Sequence, residues 1–314
     1  MNRRWICNVW MDELKIWNCI RIHKDEGPAE PKLSVLIDDK WMAFPLPDHP
    51  LANKIRFRII QIEYIDHFVI EFLRSNKHIW DRMGTKLELC IDDDDQPIWD
   101  IFVREIWPIF ATNIRHLTFY TTEDLDNFRR RISPTILSDL IHLNSINSGI
   151  LCPDAIADDG RNATAGQALT KWLHTPSKSG QPKLLFCADY DDEVNLDWIN
   201  SFKEAFLRAI SSVSYIIRID HVIIMPTEPF ELVNERTKEK LTLEKVTRSA
   251  GAWLLKRCPI GETVQWENDE NWDDKLNNVT FNLWGDINKS IGPLSPPAAE
   301  EEKKEADESN KNVI

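Results

Sequence analysis

The sequence predicts an α/β protein: an irregular leucine-rich-repeat-like solenoid of strands and helices, closed by a C-terminal antiparallel β-sheet. Three observations predict it. In the stretch Lys86 to Tyr120, Leu87, Leu89 and Ile91 alternate with Glu88 and Cys90, the period of a strand with one buried face. After the acidic turn Asp92 to Asp95, Pro97 suits a first helical position. Ile98, Ile101, Phe102, Ile106 and Ile109 then recur at helical steps, before His116 to Tyr120 alternates again. Such strand-helix-strand units recur with strand centres about 30 residues apart, one interval nearer 40, the period of a strand-and-helix solenoid. From Phe230 onward the period changes to that of short strands joined by tight turns.

Taken in order, Trp5 to His23 is Trp- and Ile-rich and reads as a short helix followed by a strand. LSVLIDDKWMAFPLP reads as a β-hairpin turning at Asp38-Asp39 and ended by Pro45 and Pro47. In the segment 55–65, Ile60, Ile62 and Tyr64 alternate with Gln61 and Glu63, which predicts a strand. His67 to Arg82 carries Val69, Phe72, Leu73 and Trp80 at helical spacing, with Gly84 placed to cap it. Ser133 before Pro134 is placed to open a helix whose inward face is Ile136, Leu137, Leu140 and Ile141. A strand follows over 145–150. The polar run CPDAIADDGRNATAG marks a loop, and Gln167 to His174 a helix stopped by Thr175-Pro176. A strand over 184–188, a helix over 196–210 with Trp198, Ile199, Phe202, Phe206 and Ile210 inward, and a strand over 215–219 complete the series. FELVNERTKEKLTLEKV reads as a hairpin, and AWLLKRCPI and VTFNLW as two further strands of the antiparallel sheet. From Pro293 the chain has almost no apolar content, the composition of a disordered acidic tail.

A hydrophobic share of 42% over 314 residues allows a core that needs neither disulfide nor metal. The net charge of -13 argues against a nucleic-acid binder, whose affinity comes from clustered Lys and Arg. The six cysteines are scattered, with no CxxC pair and no zinc spacing, so they read as reduced thiols of an intracellular protein, cytoplasmic or also nuclear. No apolar run approaches the ~20 residues of a membrane span.

No catalytic signature is present. GxGxxG, Walker A, HExxH and GxSxG are all missing, so the expectation is a non-enzymatic protein without cofactor. Asp92 to Asp95 lacks the glycine and terminal glutamate of a calcium loop, and reads as a solvated turn leading a helix rather than a metal site. Asp189, Asp191, Asp192 and Glu193 read as a charged loop, His174 as a surface or capping residue, and Arg129 to Arg131 as a solvated face. Trp266 and Trp272 sit in a polar acidic stretch and read as residues packed back on the terminal sheet, with an interface role as the alternative.

LSVLIDDKWMAFPLPDHPLANKI, RIIQIEYID, IWPIFATNI, SPTILSDLIHL, QALTKWLHTP, PFELVNERTKEKLTL and WLLKRCPI keep this order along the chain. In that order they resemble the F-box-containing proteins of plant-parasitic nematodes, over roughly residues 32–292. The resemblance implies the substrate-binding half of an adaptor whose F-box docks on Skp1 in a cullin-based ubiquitin ligase. DELKIWNCIRIHKD resembles the stretch just after the F-box, and the Leu-Pro-rich F-box opening itself is not found. Two expectations follow: a truncated gene product of a ligase adaptor, or a ubiquitin-independent binding scaffold or decoy. The division expected is 1–31 as the segment following an F-box, 32–225 as the strand-helix binding region, 226–292 as the antiparallel region and 293–314 as the tail. The expected partners are target proteins, with Skp1 and cullin where an F-box is present, and neither nucleic acid nor membrane. The outward side chains Gln61, Glu63, Glu88, His116, Thr118 and Tyr120 are the expected protein contacts.

Overall fold

The structure, a computed structural model, describes residues 16–25, 30–37, 40–51, 56–80, 84–91, 96–188, 198–220, 228–246, 251–261, 277–283 and 292. Its strands are β1 (Ile16–His23), β2 (Lys32–Ile37), β3 (Lys40–Pro45), β4 (Arg56–Ile62), β5 (Thr85–Ile91), β6 (Ile114–Thr118) and β7 (Ser145–Asn147). They continue with β8 (Lys183–Ala188), β9 (Tyr215–Asp220), β10 (Phe230–Asn234), β11 (Glu239–Lys245), β12 (Trp253–Pro259) and β13 (Asn277–Leu283). All thirteen belong to one sheet, ordered β10-β11-β12-β9-β8-β7-β6-β5-β13-β4-β1-β2-β3. The run from β9 to β1 is parallel throughout, and antiparallel strands extend it at both ends.

The helices are α1 (His67–Ser75), α2 (Lys77–Trp80), α3 (Gln96–Ile101), α4 (Trp107–Phe110), α5 (Thr122–Arg131), α6 (Ile136–Asp139), α7 (Ala165–Leu173) and α8 (Trp198–Arg208). They lie in the connections between successive strands from β4 to β9. The chain steps across the sheet in one direction from β4 to β9, and right-handed crossovers in a constant direction put every connecting helix on the same face. The core agrees with this. Ile20, Ile22, Ile60, Ile62, Leu87, Leu89, Leu117, Ile146, Leu185 and Ile217 belong to one buried cluster with the apolar stripes of the helices. The alternate strand residues are absent from it.

The helix ends have local causes. Asp66 caps α1 by accepting the Val69 N–H at 3.0 Å. Thr121 with Asp124, and Thr164 with Gln167, form reciprocal capping boxes at α5 and α7. The single helix expected over 67–82 is broken at Asn76, which is fully buried. Its side chain accepts the Leu51 N–H at 2.7 Å and donates to the Phe72 carbonyl at 2.7 Å. The helix expected after Pro97 is widened into a π-turn at Phe102–Ile106. Pro108 has no N–H for the Arg104 carbonyl and its ring crowds that group, while the Trp107 N–H reaches back to Phe102.

Several expectations are corrected. The sheet is not a solenoid, because its strands do not stack in chain order: β13 lies between β4 and β5 and is parallel to both. It was expected in the terminal antiparallel sheet. Strands β10, β11 and β12 are antiparallel as expected, but β12 pairs with β9 and continues the same sheet. Ile141 and Ile210, assigned to inward faces, are 50% and 84% exposed, because α6 and α8 end at Asp139 and Arg208 before reaching them. The strand at 145–150 stops at Asn147. Gly149 follows at φ +57°, where a Cβ would meet the Tyr120 carbonyl oxygen at 2.5 Å. The residues that join α2 to Gly84 lie outside the described ones; Gly84 itself precedes β5 with the Arg115 side chain where a Cβ would stand. No helix among the described residues is long and apolar enough to cross a membrane.

β13 carries Val279, Phe281 and Leu283 into the core, all with no exposure, and Phe281 meets Phe102 and Phe110 edge-on at 5.4 and 6.0 Å. Phe281→Ala is therefore expected to lower the unfolding free energy by about 3–5 kcal/mol in urea titration. Leu207→Ala, at a 53% exposed position, should stay within about 0.5 kcal/mol of the parent. Similar losses for the two would show that β13 is not in the core.

Candidate functional site: the sheet face opposite the described helices

The second face of the sheet is built by the residues that alternate with the core. Register places Arg21, Gln61, Thr280, Glu88, Thr118, Asn147, Phe186 and Arg218 side by side, one from each of eight neighbouring strands. A second row, one pleat away, includes Cys19, Ile59, Lys86, His116, Ser145, Leu184, Ile216 and Lys256. None of these residues belongs to the helix-lined core.

The charges on this face are largely paired within it. Arg21 Nε lies 3.0 Å from the Glu63 carboxylate and 3.4 Å from Gln61 Oε1, while its guanidinium sits 4.7 Å over the Trp41 ring. The Tyr120 hydroxyl donates to Glu88. Burial, and then the Glu88 carboxylate beside it, raise the Tyr120 hydroxyl above its ordinary pKa. His116 Nε2 and Thr118 Oγ1 are 3.2 Å apart. Arg218 pairs with Asp220 at 2.9 Å, and Lys256 with Glu244. Toward β12 the face turns apolar, where Leu184, Ile216 and Leu254 form a small buried cluster with Phe186 and Val246 against it.

The structure gathers the expected contact residues into two groups. Arg21 draws Gln61 and Glu63 together, and Glu88, His116, Thr118 and Tyr120 meet across β5 and β6. Thr280 of β13 stands between the groups, so they are not neighbours as chain order implied. Thr118 lies in the expected row but is only 4% exposed, which corrects its reading as a contact residue. Tyr120, at 48%, is the most open of the six. Sequence reasoning missed Arg21, Trp41, Thr280 and Arg218. The alternation Cys19, Arg21, His23 against Ile20, Ile22 carries a signal for Arg21. Nothing local carries one for Thr280, whose position depends on where β13 inserts. Asp92 to Asp95, Asp189, Asp191, Asp192, Glu193, Trp266, Trp272 and the tail from Pro293 lie outside the described residues. No group of three or more metal-ligating side chains occurs among the described residues.

A second polar cluster is buried on the helix side. Arg257 forks onto Glu239 at 2.7 and 3.1 Å and donates to the Ser211 carbonyl at 3.0 Å. Glu239 also accepts from Ser212 Oγ at 2.7 Å and the Val213 N–H at 2.9 Å. Both side chains are nearly inaccessible, so removal of either would strand a buried charge. Lys183 donates to the Trp172 carbonyl, and burial lowers its pKa to about 8. His174, expected at the surface or as a helix cap, is the C-cap residue of α7, but it is largely enclosed: its ring stacks on Phe202 and meets Tyr215 edge-on, and its Nε2 is buried without a hydrogen-bond partner among the described residues. Burial first, then the Arg257 and Lys183 charges, lower its pKa to about 4. These groups hold α7 and α8 to the sheet.

The unfolded chain holds a proton on His174 up to its ordinary value near 6.5, whereas the folded chain releases it down to about 4. Between those limits the unfolded state binds more protons, so stability falls as pH drops from 6.5 to 4. Each pKa unit corresponds to about 1.4 kcal/mol, so His174 contributes roughly 3 kcal/mol of loss across that window. Urea titrations of His174→Gln at pH 7 and pH 4.5 should show a much smaller drop than the parent. An unchanged drop would place the titration elsewhere.

No protein-family profile, no curated protein and no solved structure matches this chain.

Proposed function

We propose that this chain is the substrate-recognition region of an F-box-type adaptor for a Skp1-cullin ubiquitin ligase, and that it binds target proteins through the face of its sheet opposite the described helices. The observation that carries the binding half of this reading is that face itself. A mostly parallel sheet is ordinarily covered on both sides. Here the described helices all lie on one side, and the other presents a broad surface of polar side chains drawn from eight strands. Gln61, Glu63, Glu88, His116 and Tyr120 line it, with Arg21, Trp41 and Thr280 among them. Its hydrogen-bonding groups and half-open aromatics are the means by which protein interfaces are read. The ligase half rests on the ordered phrases that resemble the nematode F-box proteins. A leucine-rich-repeat-like arc would serve the same end; the proposal needs only the open face.

A ubiquitin-independent scaffold or decoy is the second reading; it uses the same face and needs no ligase. The two separate in one experiment. The longest native transcript product is immunoprecipitated and its partners identified, in parallel with the double variant Glu88→Ala/Tyr120→Ala. Recovery of Skp1 or a cullin, with target turnover lost on proteasome inhibition, supports the adaptor. Target recovery with neither Skp1 nor cullin and no change in turnover supports the scaffold. In either case the double variant should weaken target binding by at least about tenfold, the loss expected for an interface hot spot, with its melting temperature kept. Binding unaffected by the variant would move the interface off this face.

Because the face pairs its own charges, partner affinity should change little between 50 and 300 mM salt, by less than about threefold, since paired charges offer little long-range steering. A steep salt dependence would contradict this prediction.

A further inference from the structure

The described part of the molecule contains a cavity of about 510 Å³ away from the sheet's polar face, between the C-terminal end of α5 and the loop that precedes α7. Its walls bring together Arg129, Arg130 and Arg161 with Asn162, against one acidic residue, Asp126. Three guanidinium groups around one concavity are unexpected in a chain of net charge -13. The arginine run was expected to be a solvated face. Arg129 is instead 4% exposed and fixed in place.

Arg129 bridges the two walls. Its Nε donates to the Pro134 carbonyl at 3.1 Å, Nη1 to the Ala163 carbonyl at 2.7 Å and Nη2 to the Gly160 carbonyl at 3.0 Å. Nη1 also pairs with the Asp126 carboxylate, which is partly exposed, at 3.4 Å. Three carbonyls and the Asp126 carboxylate thus satisfy this buried cation and fix the cavity wall. Arg130 and Arg161 are exposed, and neither forms an ion pair with any described residue. The remaining carboxylates of the adjoining loop are engaged elsewhere: Asp158 accepts the Gly160 N–H and Asp159 the Ser138 hydroxyl.

We propose that this cavity is a binding site for a phosphate monoester. The oxygens of a dianionic phosphoryl group match the planar forks of Arg130 and Arg161, the two cavity arginines that no described carboxylate pairs, while Arg129, already paired with Asp126, braces the wall between them. The cavity falls in the range of sites for ligands of some hundreds of Å³, larger than a bare phosphate needs. The phosphoryl group therefore arrives on a larger organic body, either a small phosphorylated molecule or a phosphorylated protein side chain. This site is independent of the sheet face, and its failure would leave the adaptor reading untouched.

Calorimetric titration of the full chain with phenyl phosphate, a short phosphoserine peptide, the same peptide without phosphate, and glutarate tests the assignment. One-site binding of either phosphorylated probe is expected, with glutarate and the plain peptide at least about tenfold weaker, because the fork-to-phosphate pairing is charge-assisted and bidentate. The tighter of the two phosphorylated probes identifies the source. Arg130→Gln/Arg161→Gln, two exposed substitutions checked for an unchanged melting temperature without ligand, should weaken binding by about tenfold or more. Arg161→Lys should give a smaller loss, as the charge stays and the fork goes. Absence of saturable binding by both phosphorylated probes, binding unchanged in the double variant, or glutarate equal to phenyl phosphate would each overturn the proposal.

Discussion

The insertion of β13 between β4 and β5 is the constraint on which the rest of the structure depends. Each of those strands would otherwise present an unpaired edge in the middle of the molecule, a row of backbone donors and acceptors without partners. The strand that closes the gap lies much further along the chain, at 277–283, and its Phe281 locks into the aromatic cluster of Phe102 and Phe110. The sheet is thus continuous only when residues 277–283 are in place. Long-range pairing of this kind forms slowly, because loop closure precedes the contacts that reward it.

One-sidedness follows from the same topology. Constant direction of travel and right-handed crossovers load the described helices onto one face, and strands such as β5 respond with alternation, while β8 and β9 carry apolar residues on both faces. The burial pattern of β5, with every second residue closed, is the clearest instance. The antiparallel additions at the two ends spare the parallel core an exposed edge. The outermost strands carry devices against edge pairing, Lys40 and Pro45 in β3 and Glu231 in β10. What remains is a face that pairs its own charges, separate from a cavity that gathers arginines.

Much of this was legible in the sequence, and the remainder was not for identifiable reasons. Alternation located β4, β5 and β6, and helical spacing located α1, α7 and α8, because these elements are half buried and their periods are set by a single core; β8 and β9 were read as short strands completing the same series. The break at Asn76 and the π-turn before Pro108 were hidden, since each depends on one backbone contact within an otherwise regular stripe. The place of β13 was invisible. NNVTFNL alternates like an antiparallel strand of a terminal sheet, and nothing local tells a strand which neighbours it will find. For the site, alternation correctly put Gln61, Glu88 and His116 on the face away from the core. It could not show that Thr118 is closed off by its neighbours, or that Thr280 separates the two groups. Arg129 misled for a related reason: three consecutive arginines look solvated, and only the fold brings the carbonyls of Gly160 and Ala163 to one of them.

Native-state hydrogen exchange tests the central role of β13 most directly. The amides of Val279, Phe281 and Leu283 should exchange as slowly as those of Leu87 and Leu89 in β5, and through the same global opening, with a denaturant dependence matching full unfolding. Exchange of the β13 amides at rates typical of exposed loops, while β5 stays protected, would contradict the account.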